Sequence, residues 1–418
     1  MAHRWHADDT SRPHSEARAR TGSSVTPVRP STADPHRQTD LSRLGGFHPG
    51  WFGSVMGTAI VAIAASHNPG GIGALASPAR VFAQVMAVVA AALATVLIVP
   101  YLARFVLHRD AALADLRDPV AGALYGTLPG GILVLSATAA AVGPTVMAPA
   151  TVRGIVAGLD WVGVPLALVM SILFAQVLFL GAGLELETVN GGWFIPPVVN
   201  IIVPLVLTPL IPGSSPATAR ALLLTAYAFW GMGLFLYLLI VVMLHHRLVV
   251  HRLPHAGLAP SLWIGLGPIG VGALAAMSVA AVGTPIFGRS SAALELVSRL
   301  TATALWGFGA WWLIAAIVLL IHYLRRGPFP YGIGWWGFTF PLGAYSVATL
   351  TLARAWGLSG LEDAGAVLFV LLVLFWLVVV GRTLLALKSG EIWRLGQPTA
   401  LPPMLRRTKE APNEPSAT

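Results

Sequence analysis

The sequence predicts an all-α polytopic membrane protein, with ten transmembrane helices arranged as five tandem helical hairpins. Three observations carry this. Of 418 residues, 56% are hydrophobic and only 10% charged, and the mean hydropathy is +0.75, well outside the range of water-soluble domains. From about Phe47 to Lys388 apolar runs follow one another with short breaks, and at about 20 residues per crossing that length holds roughly ten spans. Prolines mark every other run, at intervals of 65 to 80 residues, the length of one helical hairpin.

Hydropathy, with breaks at charges and Gly/Pro, delimits helices over 47–66, 79–107, 119–143, 156–183, 193–212, 217–247, 258–283, 299–325, 331–356 and 362–388. Residues 1–46, rich in Arg, His, Ser, Thr and Pro without an apolar period, read as a disordered tail lacking the apolar core of a signal peptide. Residues 391–418 are polar and proline-rich and read as a second tail, leaving 47–390 as the membrane domain. An even number of crossings puts both termini on one side. Lys and Arg are almost balanced between the loops, and the flanking Arg37, Arg43, Arg382, Lys388 and Arg394 assign that side to the cytoplasm, with the cell membrane as location.

The odd spans carry the prolines: Pro49, Pro129, Pro196 with Pro197 and Pro204, Pro268, and Pro341. Proline inside a helix removes one backbone bond and crowds the carbonyl four residues back, costing about 3 kcal/mol. Exposed backbone is tolerated in a membrane only where protein or a water-filled cavity receives it. Five bent helices alternating with five straighter ones therefore predict an inner ring of proline-kinked odd helices around a central pore, enclosed by an outer ring facing lipid. Glycine pairs on the odd spans, Gly53 with Gly57, Gly126 with Gly130 and Gly267 with Gly270, allow close helix approach.

What the spans lack narrows the chemistry. There is no cysteine, which excludes disulfides, thiolate metal sites and thiol redox chemistry. The formal charge of +9 resides in tails and short loops, so it reads as membrane orientation rather than nucleic-acid binding. Acidic residues fall at helix ends or loops, with Asp160 near the outer end of the fourth span. A pore so poor in charge offers anions weak binding by dipoles, from half-helix ends and from Ser54, Thr58, Thr127, Asn200, Thr339 and Ser346, which suits fast passage. The run His245, His246, His251 and His255 reads as a basic, solvated helix end rather than a metal site, and His48 as an interfacial side chain. No HExxH, GxSxG, phosphate-binding glycine loop or CxxC occurs, so neither an enzyme nor a cofactor is expected.

Five ordered stretches, "FHPGWFGSVMGTAIVA", "DPVAGALYGTLPGGILVL", "GGWFIPPVVNIIVP", "LAPSLWIGLGPIGVGALA" and "GWWGFTFPLGAYSVAT", resemble the inner-helix signatures of the tellurite-resistance/dicarboxylate transporter family. That family includes bacterial tellurite-resistance channels, plant slow-type anion channels, and yeast malate transporters and sulfite efflux pumps. The resemblance implies quasi-fivefold symmetry, a homotrimer with one pore per subunit, and permeation by small inorganic or organic anions. It also implies an aromatic gate on the ninth helix. By motif position the gate is Phe340, with Phe338 the rival, pointing about 160° away on an ideal helix. Two functions fit: a gated anion channel, or a carrier moving malate-like dicarboxylates or sulfite with protons. The shortage of span carboxylates weighs against proton coupling.

Overall fold

The computed structural model describes residues 44–181 and 184–393, and every regular element among them is helical. The two expected tails lie outside the described residues apart from 44–46 and 391–393. The α-helices are α1 (Phe52–Ser66), α2 (Ala76–Leu107), the short α3 (Arg109–Arg117) and α4 (Ala121–Leu124), α5 (Thr127–Val142) and α6 (Pro149–Leu180). They continue with α7 (Ile195–Leu207), α8 (Pro216–Val250), α9 (Leu266–Phe287), α10 (Ser291–Arg326), α11 (Thr339–Trp356) and α12 (Ser359–Ser389). Nine helical segments among the described residues are long and apolar enough to cross a membrane. The segment expected over 331–356 is not one of them. It divides into a 3-10 stretch, Ile333–Phe338, and the 18-residue α11, whose Tyr345, Ser346, Thr349, Thr351 and Arg354 lower its hydropathy. Its first eleven residues, Thr339–Thr349, are all buried, so it needs no lipid-compatible surface there.

Burial divides the spans into two sets. In Pro49–Ser66, Ala121–Thr145, Gly191–Leu210 and Ala256–Gly283 the buried share of the apolar stretch is 83%, 61%, 83% and 78%. In the segments ending in α2, α6, α8, α10 and α12 it is 22%, 22%, 28%, 17% and 17%. The buried helices pack in a closed circuit, α1 on α5, α5 on α7, α7 on α9, α9 on α11 and α11 back on α1. Each also packs on the long helix that follows it in the chain. Glycine permits the closest of these contacts. A Cβ on Gly270 of α9 would stand 2.6 Å from backbone atoms of Ala344 and Tyr345 in α11, and one on Gly343 would stand 2.6 Å from Ile60 of α1.

The inner helices are short, and a 3-10 or single-turn entry precedes each one: Pro49–Trp51, α4, Gly191–Phe194, Ala256–Gly265 and Ile333–Phe338. The 13 residues of α7 span about 20 Å. The four 3-10 residues before it add about 8 Å, which brings the pair close to the hydrocarbon thickness of about 30 Å. Pro129, Pro197, Pro268 and Pro341 each stand third in their α-helix, within the first turn where a backbone N–H has no intrahelical partner to lose. Pro49 opens its 3-10 entry, and Pro204 lies inside α7.

Side chains from the last turns of the outer helices fasten these entries. Arg104 of α2 donates to the carbonyl of Gly45 at 3.1 Å, and Arg247 of α8 to that of Val189. The Tyr323 hydroxyl of α10 donates to Pro254 O at 2.6 Å, and Thr383 of α12 meets the Tyr331 hydroxyl at 2.7 Å. Four of the five inner helices thus have their lead-in tied to the end of their own outer partner.

Candidate functional site

Two cavities lie inside the circuit. The larger, about 500 Å³, draws its walls from all five inner helices, as helical stripes such as Ile60/Ile63 of α1, continued by His67 at its C-cap, and Phe340/Ala344/Val347/Thr351 of α11. The smaller, about 50 Å³, lies among the entries and is lined by Gly53, Thr127, Ile195, Ile264 and Trp336 among others. Among the described residues, Phe340 alone lines both. Its side chain is 6% exposed, and its Cε1 is 3.7 Å from the point where a Cβ on Gly267 of α9 would stand. Glycine at that point leaves the ring edge room. A wider hollow of about 820 Å³ is lined mainly by α2, α5 and α6, and its Val88 and Val162 are exposed, so it is a groove on the outer surface.

Phe338 lines neither cavity. It is 2% exposed and packs edge-on to Trp263 at 5.4 Å and against Phe375 of α12 at 5.3 Å. The two phenylalanines, two residues apart across the 3-10/α junction, are therefore directed to different places: one to the axis, the other into an aromatic cluster with the outer helices.

Of the polar residues considered for the pore wall, Thr127 lines the smaller cavity, with its hydroxyl bonded to Pro49 O at 3.0 Å and Leu124 O at 2.7 Å. Ser54, Thr58, Asn200, Thr339 and Ser346 line neither cavity. Ser54 and Thr339 donate to the carbonyls of Trp51 and Trp336, at 2.6 and 2.8 Å. Thr58 accepts from the indole of Trp376 on α12 at 3.1 Å, Asn200 bonds Ser171 of α6 at 2.5 Å, and Ser346 donates to Gly365 O of α12 at 3.2 Å. These side chains fasten the inner helices to themselves or to the outer ring.

The larger cavity is lined almost entirely by aliphatic groups and Phe340. Its polar members are His67, Ser278 and Thr351. The hydroxyls of Ser278 and Thr351 are already bonded, to Thr208 at 2.9 Å and to Val347 O at 2.8 Å. The stripes that form the wall repeat at i, i+3 or i+4, and i+7, a signal present in the sequence but shared with any lipid-facing stripe.

Two ionisable residues stand apart from this wall. Asp160, eleven residues into α6, is 5% exposed. One of its oxygens accepts from Ser136 of α5 at 2.7 Å, and the other has no partner among the described residues. Among the described residues, Asp160 is thus the one buried carboxyl in the spans. His48 caps the first entry, its Nδ1 accepting from Gly50 N at 3.0 Å. Burial, helped by the Arg104 charge, pushes its pKa down to about 4, which keeps that acceptor unprotonated near neutrality. In the histidine run, His251 pairs with Glu187 at 2.5 Å, and no group of three or more metal-ligating side chains occurs among the described residues.

Residues 46–384 match the family model described as voltage-dependent anion channel, SLAC1. The chain is 29% identical over 360 residues to an uncharacterized transporter of Methanocaldococcus jannaschii, covering 85% of this chain and 98% of that one. It is 26% identical over 384 residues to the sulfite efflux pump SSU1 of Trichophyton rubrum, covering 90% of this chain and all of the pump. It is 24% identical over 207 residues to the malic acid transport protein of Schizosaccharomyces pombe, covering 47% of this chain and 46% of that protein. These relatives are transporters, not enzymes.

Proposed function

The chain belongs to the voltage-dependent anion channel (SLAC1) family of anion transporters, and we propose that it passes small anions through a pore along the axis of its inner helices, closed at Phe340. The carrying observation is that, among the described residues, Phe340 alone borders both cavities. A phenyl ring between two apolar chambers blocks an anion by bulk and by excluding the water that would hydrate it. Opening then requires a side-chain rotation rather than a domain movement. In this reading ten helices cross the membrane as five hairpins, with the ring closed by the short α11 and bent where 3-10 entry meets α-helix. Both termini lie in the cytoplasm, the membrane is the cell membrane, and the assembly is a homotrimer with a pore in each subunit. The test is the reversal potential of the purified protein in planar bilayers under anion substitution. A shift that follows the anion gradient supports the reading, and one that follows the cation gradient, or no conductance from protein present in the bilayer, contradicts it.

One observation favours a second reading, a proton-linked carrier of sulfite or a C4-dicarboxylate such as malate, the substrate types that two relatives are named for. The buried carboxyl of Asp160 beside Ser136 is the kind of intramembrane group that proton coupling requires. Flux of labelled sulfite or malate into proteoliposomes, with and without an imposed pH gradient, separates the two. Electrogenic flux indifferent to the gradient leaves the channel, and accumulation driven by the gradient and lost in Asp160→Asn identifies the carrier.

A further inference from the structure

At the end of the ring where α1 and α11 finish, the larger cavity meets charged side chains that closure at Phe340 does not use. The lining stripe of α11 runs from Phe340 to Thr351, and one turn further stands Arg354. The stripe of α1 ends on His67. Arg354 joins the two ends: its Nη2 donates to the backbone carbonyl of His67 and, at 2.7 Å, to Oε1 of Glu362 on α12, while its Nε reaches Oε2 at 3.2 Å. Nη1 has no partner among the described residues. The Arg354 side chain is 45% exposed and that of Glu362 15%. No lysine or arginine lines the cavity itself, and burial, opposed by the hydrogen bond to Ile63 O, holds the pKa of His67 below its ordinary value. Arg354 is therefore a permanent cation one turn beyond the last lining residue of α11; Arg153, beside Pro209 of the same wall, is held by the carbonyls of Leu210 and Pro212 and by Ser214.

We propose that Arg354 is the anion-docking residue of this mouth, with Glu362 as a built-in carboxylate that an incoming carboxylate or oxyanion displaces. The inference rests on the transport reading above and names the substrate class for this end of the pore. A guanidinium presents a planar fork that takes carboxylates and oxyanions through two parallel hydrogen bonds, as it takes Glu362. A halide takes both N–H groups only by converging them on one atom, without the two parallel bonds. A part-exposed ion pair contributes little net stability, so exchanging one carboxylate for another anion is cheap and leaves the fold in place. The anion is then delivered directly to an apolar chamber that has no charge of its own to attract it.

Two measurements on the full chain test this, using sulfite as probe: the KM and maximal rate of sulfite flux in proteoliposomes, and the rise in Tm of the purified protein with added sulfite. Arg354→Gln should raise KM roughly tenfold, the scale of a lost charge-assisted pair, and abolish the Tm rise. Glu362→Gln should do the opposite, lowering KM up to about fivefold as the competing carboxylate is removed. Neither should change the maximal rate much, and Arg354→Lys should erase the preference for sulfite over chloride. If the pair is only a latch between helix ends, both variants shift Tm and flux in the same direction whatever the sulfite concentration, and the proposal is overturned. Unchanged KM and sulfite response in Arg354→Gln also overturn it. The Tm response needs no flux, so wild type that responds to sulfite but does not transport it would defeat the transport reading without deciding against the docking site.

Discussion

The inner and outer rings are built from equally membrane-like sequence and do opposite things with it. Outer helices of 31 to 36 residues leave most of their apolar surface outside the protein, with Phe179, Phe235 and Leu224 strongly exposed. Inner helices of 13 to 22 residues bury most of theirs, and their buried polar side chains are bonded within the protein. Hydropathy reports only that a helix is compatible with lipid. Which ring it joins depends on whether it can afford close neighbours on all sides, and that is decided by glycine, proline and small hydroxyl residues.

The sharpest way to break the comparison is a methyl group placed in each ring. Gly270→Ala puts a Cβ 2.6 Å from main-chain atoms of α11 that no rotamer change can move. We expect a loss of about 1–3 kcal/mol or outright failure to fold, seen as lower Tm and poor monodispersity in detergent. Gly231→Ala and Gly381→Ala on outer helices meet nothing within 4 Å, and the added helix propensity should leave Tm equal or slightly raised.

The stitches between the rings should cost less. Asn200→Ala removes the bonds to Ser171 and Pro196 O and leaves both groups buried, for a loss of about 1–3 kcal/mol. Trp376→Phe removes the indole donor to Thr58 while keeping most of the ring packing, for about 1 kcal/mol. Thermal or denaturant unfolding in detergent ranks the two. An Asn200→Ala variant with wild-type stability and altered anion selectivity would return Asn200 to the pore wall.

The smallest effect concerns the first entry. His48 is neutral when folded and its pKa is depressed to about 4, so the stability it lends is fully present above its unfolded value of 6.5 and is lost as pH falls from there towards 4. Protonation of Nδ1 would also remove the acceptor for Gly50 N. Wild type should lose Tm between pH 7 and 5 by an amount on the order of a few degrees. His48→Asn, which keeps a capping oxygen without a titratable ring, should lose less.

The membrane class and the inner helices were legible because hydropathy and recurring proline are local signals. The resemblance also draws attention to "TFP", where Phe340 precedes the proline that stands third in its helix, and closure at Phe340 is our proposal. The wall of the larger cavity was not legible. Ser54, Thr58, Asn200 and Thr339 looked like lining because they are polar residues on inner spans. In a membrane interior an unbonded hydroxyl or amide is costly, and these bond to carbonyls and to outer-ring partners instead. The cavity wall includes Ile60, Val134, Leu205, Val271 and Val347, residues that in sequence are indistinguishable from lipid-facing ones. The Arg354–Glu362–His67 cluster joins residues 287 positions apart, which one-dimensional spacing cannot reveal.

The central claim is that Phe340, not its neighbour Phe338, closes the axis, and the most direct measurement is the anion conductance of Phe340→Ala beside Phe338→Ala and wild type in planar bilayers. The account predicts that Phe340→Ala raises conductance on the order of tenfold or more by joining the two chambers, while Phe338→Ala lowers stability through its aromatic cluster and leaves conductance near that of wild type. Phe340→Ala protein present in the bilayer with conductance as low as wild type, or a rise confined to Phe338→Ala, would contradict it.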